Sequence, residues 1–400
     1  MALQVAAYVH WWPSYSLQID TLVYRFGGVR VSEGLDLYSI GRNGGTDDLL
    51  FTYTPFAAVF FLPLAWISES VAQVVALAAS VALLTYVVWR ILRWFGVTRA
   101  QGLWGLTALL VGLLLWLQPI RLSIQLGQIN LLILAAVVMD LLAPSRRRWA
   151  GIGIGLMAGI KLTPALFILY LFVLGRFRAA AVAVTTLVGT VLVGFAVIPS
   201  ESKRYWIDRA FTNTKRIARD PSIGSSISSL FQRLGYPTVL GLVLSALLLV
   251  IGLAVAWYTH RRGQAVLAIA IVGMTSAAVS PFSWSHHWVW FAPLIVHLAY
   301  RGYVLGSRTS AVTMWGLCLV FADWLISLTG RPPSSSILKV QLGSLWNDVI
   351  PSVYVLVYLV VLVCTIVWLR RQPPAPDDPE RVNSSAPSPG VTRVPAPTDG

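Results

Sequence analysis

"FTYTPFAAVFFLPLAW", residues 51–66, decides the architecture of this chain. If it crosses a bilayer, every loop after it changes sides; if it only dips in, the loops keep theirs. Pro55 and Pro63 stand towards its two ends and aromatic residues crowd its start. That pattern suits a short membrane-dipping helix that closes a cavity, because proline removes an amide donor and breaks a longer helix.

Around it the chain is strongly apolar. Of 400 residues 56% are hydrophobic and only 12% charged, which places the chain among all-α polytopic membrane proteins and excludes a soluble domain. Apolar segments recur at about 70–92, 101–118, 129–143, 177–198, 236–258, 263–281, 286–300, 308–329 and 345–369. Between 149 and 175 lie two shorter ones, "WAGIGIGLMAGI" and "LTPALFILYLFVLG", hinged at Lys161. Each is too short to span alone, so they form a pair of short helices. Ala2–Trp12 reads as the outer part of a first helix whose inner part is missing, and no basic region of a signal peptide precedes it. Cys318 and Cys364 sit inside apolar segments and read as core packing.

Arginines set the orientation. Arg90, Arg93 and Arg99, then Arg146, Arg147 and Arg148, Arg176 and Arg178, Arg261 and Arg262, Arg301 and Arg308, and Arg370 and Arg371 fall on one side by alternation. The alternation works only if 51–67 does not cross. By the positive-inside rule that side is the cytosol, and the Pro- and Ser-rich stretch 372–400 is a disordered cytosolic tail. The opposite side carries loops 13–69, 119–128, 199–235, 282–285 and 330–344. The net charge of +14 then reflects cytosolic anchoring and an anion-binding face rather than nucleic acid. Loop 199–235 is basic although it lies outside; it serves an anionic ligand or folds on lipid headgroups.

Several outward residues carry chemistry. "QIDTLVYRFGGVRVSEG", 18–34, places Leu22, Val23, Phe26, Val29 and Val31 on one apolar face, an interfacial helix opened by Asp20. Asp20 is either a helix cap or a general base at the aqueous rim. "SIQLGQIN", 123–130, offers Gln125, Gln128 and Asn130, which bind hydroxyl-rich ligands or satisfy a helix terminus. Lysine at membrane depth, as at Lys161, implies a phosphate or carboxylate partner. "SPFSWSHHWVW", 280–290, brings Trp284, His286 and His287 to the outer end of a helix, for phosphate or sugar contact or as an aromatic belt. No Walker-type loop, H-E-x-x-H, G-x-S-x-G or D-x-D pattern occurs. The expectation is therefore no metal, no cofactor, and a donor that needs no metal clamp, such as a lipid-carried sugar monophosphate.

These motifs together resemble a known family, the polyprenyl-phosphate-dependent mannosyltransferases of actinobacteria (glycosyltransferase family 87, GT-C fold). The resemblance rests on "IDTLVY" with a following "G-x-D-L-Y", "FTYTPFAAVFFLPLA", "LGQIN", "GIKLTPALF" and "SPFSWSHHWVW", in order from residue 18 to 290. Thr54 stands where the family has the first proline of Y-P-P, and the N-terminus is short. The resemblance implies one transmembrane GT-C domain over 1–371, with about 12 membrane helices and interfacial helices in the first outer loop. It implies Asp20 as the catalytic base, deprotonating a mannose hydroxyl that attacks C1 of β-mannosyl phosphate with inversion. Lys161, His286 and His287 become the candidates for the donor phosphate; Tyr24, Tyr53, Gln125, Gln128, Asn130, Trp284, Arg216 and Arg219 are the candidate substrate contacts. The implied partners are polyprenyl-phosphate-mannose, a phosphatidylinositol mannoside or lipomannan acceptor, and membrane lipids. The α-1,2 linkage and a site on the outer face of the plasma membrane come from the same resemblance. A polyprenyl-phosphate-dependent arabinofuranosyltransferase is the enzymatic alternative. A lipid-linked sugar flippase is the alternative of another class, though no internal repeat supports it.

Overall fold

The computed structural model describes residues 18–44, 49–144, 147–208, 224–322 and 352–371, and every element named among them is helical. The expectations for Ala2–Trp12, Arg146, loop 330–344 and the tail 372–400 lie outside the described residues.

The first helix, α1 (Ile19–Ser32), is followed by α2 (Pro55–Phe60) and a 3₁₀ turn, Leu62–Trp66. Segment 51–66 thus folds as two short pieces, neither of which spans. Thr54 caps α2 by accepting the Ala57 amide at 3.1 Å, and its hydroxyl donates to the carbonyl of Gly159. A proline at position 54 could donate neither through a side chain nor through an amide. α1 lies tightly on these pieces. A Cβ on Gly28 would stand 2.6 Å from the Phe61 carbonyl oxygen, so only glycine admits that approach.

Next come α3 (Glu69–Trp94), α4 (Leu103–Leu114), α5 (Gln118–Leu126), α6 (Asn130–Leu141), α7 (Ile152–Ile160), α8 (Ala165–Val173) and α9 (Phe177–Val197). They are followed by α10 (Pro199–Trp206), α11 (Ile227–Arg233), α12 (Thr238–Arg261) and α13 (Ala265–Val279). The last are α14 (Phe291–Ala299), α15 (Arg308–Val320) and α16 (Val353–Arg370). Among the described residues α3, α9, α12 and α16 are long and apolar enough to cross a membrane, or five spans if the bent pair α5–α6 counts as one. Their outward faces carry exposed Val74, Leu192, Val243 and Val250, as a lipid-facing helix would.

α13 is the centre of the core: Ala265 to Ala278 are all buried, and the helix is apolar there except for Thr275 and Ser276. Trp288 and Phe291 pack beside it with no exposed surface. The arginine-rich end is fastened by its own side chains. Arg176 donates to the carbonyls of Leu141 at 3.0 Å and Ala143 at 3.2 Å, and Arg90 to that of Leu142. There Asp140, buried, accepts the Ile154 amide at 2.8 Å and so satisfies the start of α7.

Three expectations are corrected. Residues 118–126, expected mostly as loop, form α5, which meets α6 at 117° across a left-handed Gly127 (φ 70°). Helix α14 starts at Phe291 rather than 286, because Ser285–Trp288 forms a separate 3₁₀ turn. Cys318 is buried as expected, but Cys364 is exposed on α16 and is not core.

Candidate active site

The site begins with how α1 starts. Gln18, not Asp20, takes the position before the first turn, with a left-handed backbone (φ 61°). Its amide donates to the Gln125 carbonyl at 2.8 Å and its side chain to the Ile124 carbonyl at 2.5 Å. The Thr21 hydroxyl lies 3.2 Å from the carbonyl oxygen of Gly127. The first turn of α1 is therefore docked into the α5–α6 elbow, more than a hundred residues away in sequence. Asp20, the second residue of the helix, is left free of any capping role and turned to Gln128.

Around Asp20 four groups converge. The Gln128 side chain stands beside its carboxylate, and the charge of Lys161 acts on it. The Tyr24 and Tyr53 hydroxyls lie 3.0 Å apart, and both reach the Gln128 Oε1, at 3.3 Å and 3.4 Å. Burial pushes the Asp20 carboxyl up to about 6, while the Gln128 hydrogen bond and Lys161 pull it down. If Asp20 works as a base, it must be charged, and below its pKa it is protonated. The expected result is that kcat/KM falls as pH drops through about 6, not near 4 as for an ordinary aspartate. A pH profile with its acid limb near 4 would contradict this.

Lys161 ends α7, at the break before α8. Its Nζ lies 3.3 Å from Asn130 Oδ1, 3.1 Å from His287 Nε2 and 5.7 Å from the centre of the Tyr53 ring. Asn130 donates its amide to the His286 carbonyl at 2.9 Å, and Ser123 donates to the same oxygen at 3.0 Å. These bonds tie the histidine turn to α5 and α6. The Trp284 amide donates to His287 Nδ1 at 3.2 Å, which leaves the hydrogen of a neutral ring on Nε2. Burial, with the nearby Lys161 charge, pushes His287 well below the usual histidine value. Lys161, Asn130 and His287 line an open cleft with about 380 Å³ of empty space, solvent at its mouth included.

Of the residues expected from sequence, Asp20, Tyr24, Tyr53, Gln128, Asn130, Lys161 and His287 meet in one place. Others meet this group through backbone atoms at most. The His286 ring stands 4.7 Å from that of His287 and nearly perpendicular, with its Nε2 buried and unpartnered; it makes no bond to Lys161. Gln125 contributes its backbone carbonyl to Gln18, and Trp284 its backbone amide to His287. Arg216 and Arg219 lie outside the described residues.

Asp36, the next carboxylate along, is committed elsewhere. It accepts from the Tyr38 amide at 2.9 Å and from the Ser39 amide and hydroxyl at 2.6 Å and 2.8 Å, and it pairs with Arg204 at 2.8 Å. Sequence reasoning missed Thr163, Ser276 and Ser280 as cleft residues. Thr163, two residues after Lys161, and Ser280, which opens the stretch 280–290, carried a hint; Ser276 lies near the end of α13 with none.

No solved structure matches this chain. The family model of Glycosyltransferase family 87 matches residues 51–281. The chain is 34% identical over 334 residues to a polyprenol-phosphate-mannose-dependent alpha-(1-2)-phosphatidylinositol mannoside mannosyltransferase of Mycolicibacterium smegmatis, covering 76% of this chain and 74% of that protein. A protein of the same name from Mycobacterium tuberculosis is 31% identical, over 77% of this chain and 76% of that protein. A polyprenol-phosphate-mannose-dependent alpha-(1-2)-phosphatidylinositol pentamannoside mannosyltransferase of Mycobacterium tuberculosis is 30% identical over 92% of this chain and 85% of its own length. The matched stretch contains the α5–α6 elbow, the Lys161 break and the cleft serines, and the relatives extend the likeness to most of the chain. The chain belongs to glycosyltransferase family 87.

Proposed function

We propose that this membrane enzyme moves mannose from polyprenyl-phosphate-mannose to a phosphatidylinositol mannoside, with inversion, forming an α-1,2 linkage at the outer face of the plasma membrane. The observation that carries the reading is a carboxylate and a lysine at the two sides of one site, Asp20 against Gln128 and Lys161 against Asn130 and His287. The fold is read as GT-C, with about a dozen spans and α1, α2 and the Leu62–Trp66 turn as interfacial helices of the first outer loop. The donor and acceptor follow the names of the relatives.

Asp20 takes the proton of an acceptor hydroxyl as its oxygen attacks C1 of the sugar. The C1–O bond to phosphate breaks, and the electron pair leaves with polyprenyl phosphate. The negative charge that develops on the phosphate needs fixed donors. The Lys161 ammonium and the His287 Nε2–H are two donors set 3.1 Å apart, so a phosphate oxygen that accepts from both would offset their mutual repulsion. A monophosphate leaving group needs little proton assistance, and the transition state resembles an oxocarbenium ion.

The test is direct: incubate the purified protein with polyprenyl-phosphate-mannose and phosphatidylinositol mannosides, and look by mass spectrometry for the gain of one hexose. No gain with any mannosylated acceptor would overturn the reading. Turnover is also expected to persist in EDTA, since the sequence has no D-x-D pair and the described residues hold no cluster of three metal-ligating side chains. Loss of turnover in EDTA with recovery on adding Mn²⁺ or Mg²⁺ would contradict this. Asp47 and Asp48, which lie outside the described residues, would then become the candidates.

A further inference from the structure

We propose that Gln128 is a positioning residue for the Asp20 carboxylate, its amide turned by Tyr24 and Tyr53 so that nitrogen rather than oxygen meets the base. This rests on the reading of Asp20 as that base. It also removes Gln128 and the two tyrosine hydroxyls from the expected contacts to sugar.

Start from the amide. Gln128 has one acceptor end and one donor end, and nothing in its own chemistry says which way it faces. Here the acceptor end lies within reach of two hydroxyls, Tyr24 at 3.3 Å and Tyr53 at 3.4 Å, and whichever of them does not donate to the other donates to it. Tyr24 is itself held: its oxygen accepts the Ile129 amide at 3.3 Å, and its ring stacks on Phe61 at 4.4 Å. Its hydroxyl hydrogen is therefore left to donate to Gln128 or to Tyr53. The backbone of Gln128 is pinned as well, its amide donating to the Ser123 carbonyl at 2.8 Å just past the Gly127 turn. With Oε1 taken, Nε2 is the end left to face Asp20, which lies one turn before Tyr24 on the same side of α1. A flipped amide would set an oxygen against the carboxylate and bring NH₂ to a Tyr24 oxygen that already accepts an amide.

The result is a carboxylate held on one side by a neutral donor, with its remaining lone pairs available to a hydroxyl. Geometry of this kind matters because misplacing a reacting group by about 1 Å can lower a rate about 10²-fold. The donor also favours the charged form of Asp20. The groups that face or act on that carboxylate are Gln128, Lys161, Tyr24 and Tyr53, and Lys161 in turn faces His287.

The experiment compares kcat/KM against pH for the full-length enzyme, Gln128→Leu and Gln128→Glu, with polyprenyl-phosphate-mannose and a phosphatidylinositol mannoside. Gln128→Glu keeps the length and both tyrosine bonds but presents no N–H when ionised, so it serves if the leucine variant fails to fold. The expected result is a fall in kcat of about 10-fold to 10²-fold with acceptor KM little changed. The acid limb should move to higher pH in both variants, further in Gln128→Glu, where a second negative charge adds repulsion. A tenfold rise in acceptor KM with the acid limb unmoved would assign Gln128 to the sugar and overturn the proposal. Unchanged kcat and an unmoved limb would overturn it too. Asp20→Asn separates the two levels. If it is inactive while the Gln128 variants behave as wild type, only the positioning role falls; if it stays active, the base reading falls first.

Discussion

Asp20→Asn is expected to lower mannosyl transfer by about 10²- to 10⁴-fold, the range a general base usually contributes. The structure makes this substitution a clean one. Asp20 does not cap its helix, since Gln18 holds that position and docks against the α5–α6 elbow through its own bonds. An asparagine has the size of the aspartate, and its carbonyl oxygen can still accept from Gln128. It cannot take a proton. The fold and donor binding should therefore survive while transfer is lost, and the two are measured separately by mannose transfer and by binding of polyprenyl phosphate. Near-normal transfer would remove Asp20 from the chemistry. Asp36 would be a poor replacement, because the Tyr38 and Ser39 donors and Arg204 already occupy it.

Lys161→Ala should lower use of the donor by about 10²- to 10³-fold, the usual effect of deleting one donor that faces a developing negative charge. The rest of the cleft has its own supports. Asn130 keeps its bond to the His286 carbonyl, and His287 keeps the Trp284 amide. The loss should appear in kcat/KM for polyprenyl-phosphate-mannose more than in the acceptor KM. A competing role predicts a different pattern. If Lys161 serves only as the counter-charge of Asp20, donor parameters stay the same and the acid limb moves to higher pH. That outcome would take the phosphate from Lys161.

Much of this was legible along the chain, and some of it could not be. The two short helices around Lys161, at 152–160 and 165–173, fall inside the two apolar runs that the sequence separates there. Apolar run length and a lone lysine are local signals, and a helix needs little more to be recognised. The helix from Ile19 and the break-up of 51–66 were likewise written in local pattern, in helical spacing of apolar residues and in two prolines. The elbow at Gly127 was not. Residues 118–126 read as a loop because α5 is a short helix with polar residues, and it is held by Gln18 and Thr21 from the far side of the sequence. The fate of Asp36 was hidden for the same reason, its partner Arg204 lying 168 positions away. Sequence alone named Gln128, Asn130, Lys161 and His287 as polar residues in apolar surroundings. Which one meets the carboxylate and which meets the lysine was decided only by the tertiary structure. A side-chain hydrogen bond reaches about 3 Å in space and has no period along the chain from which to read it.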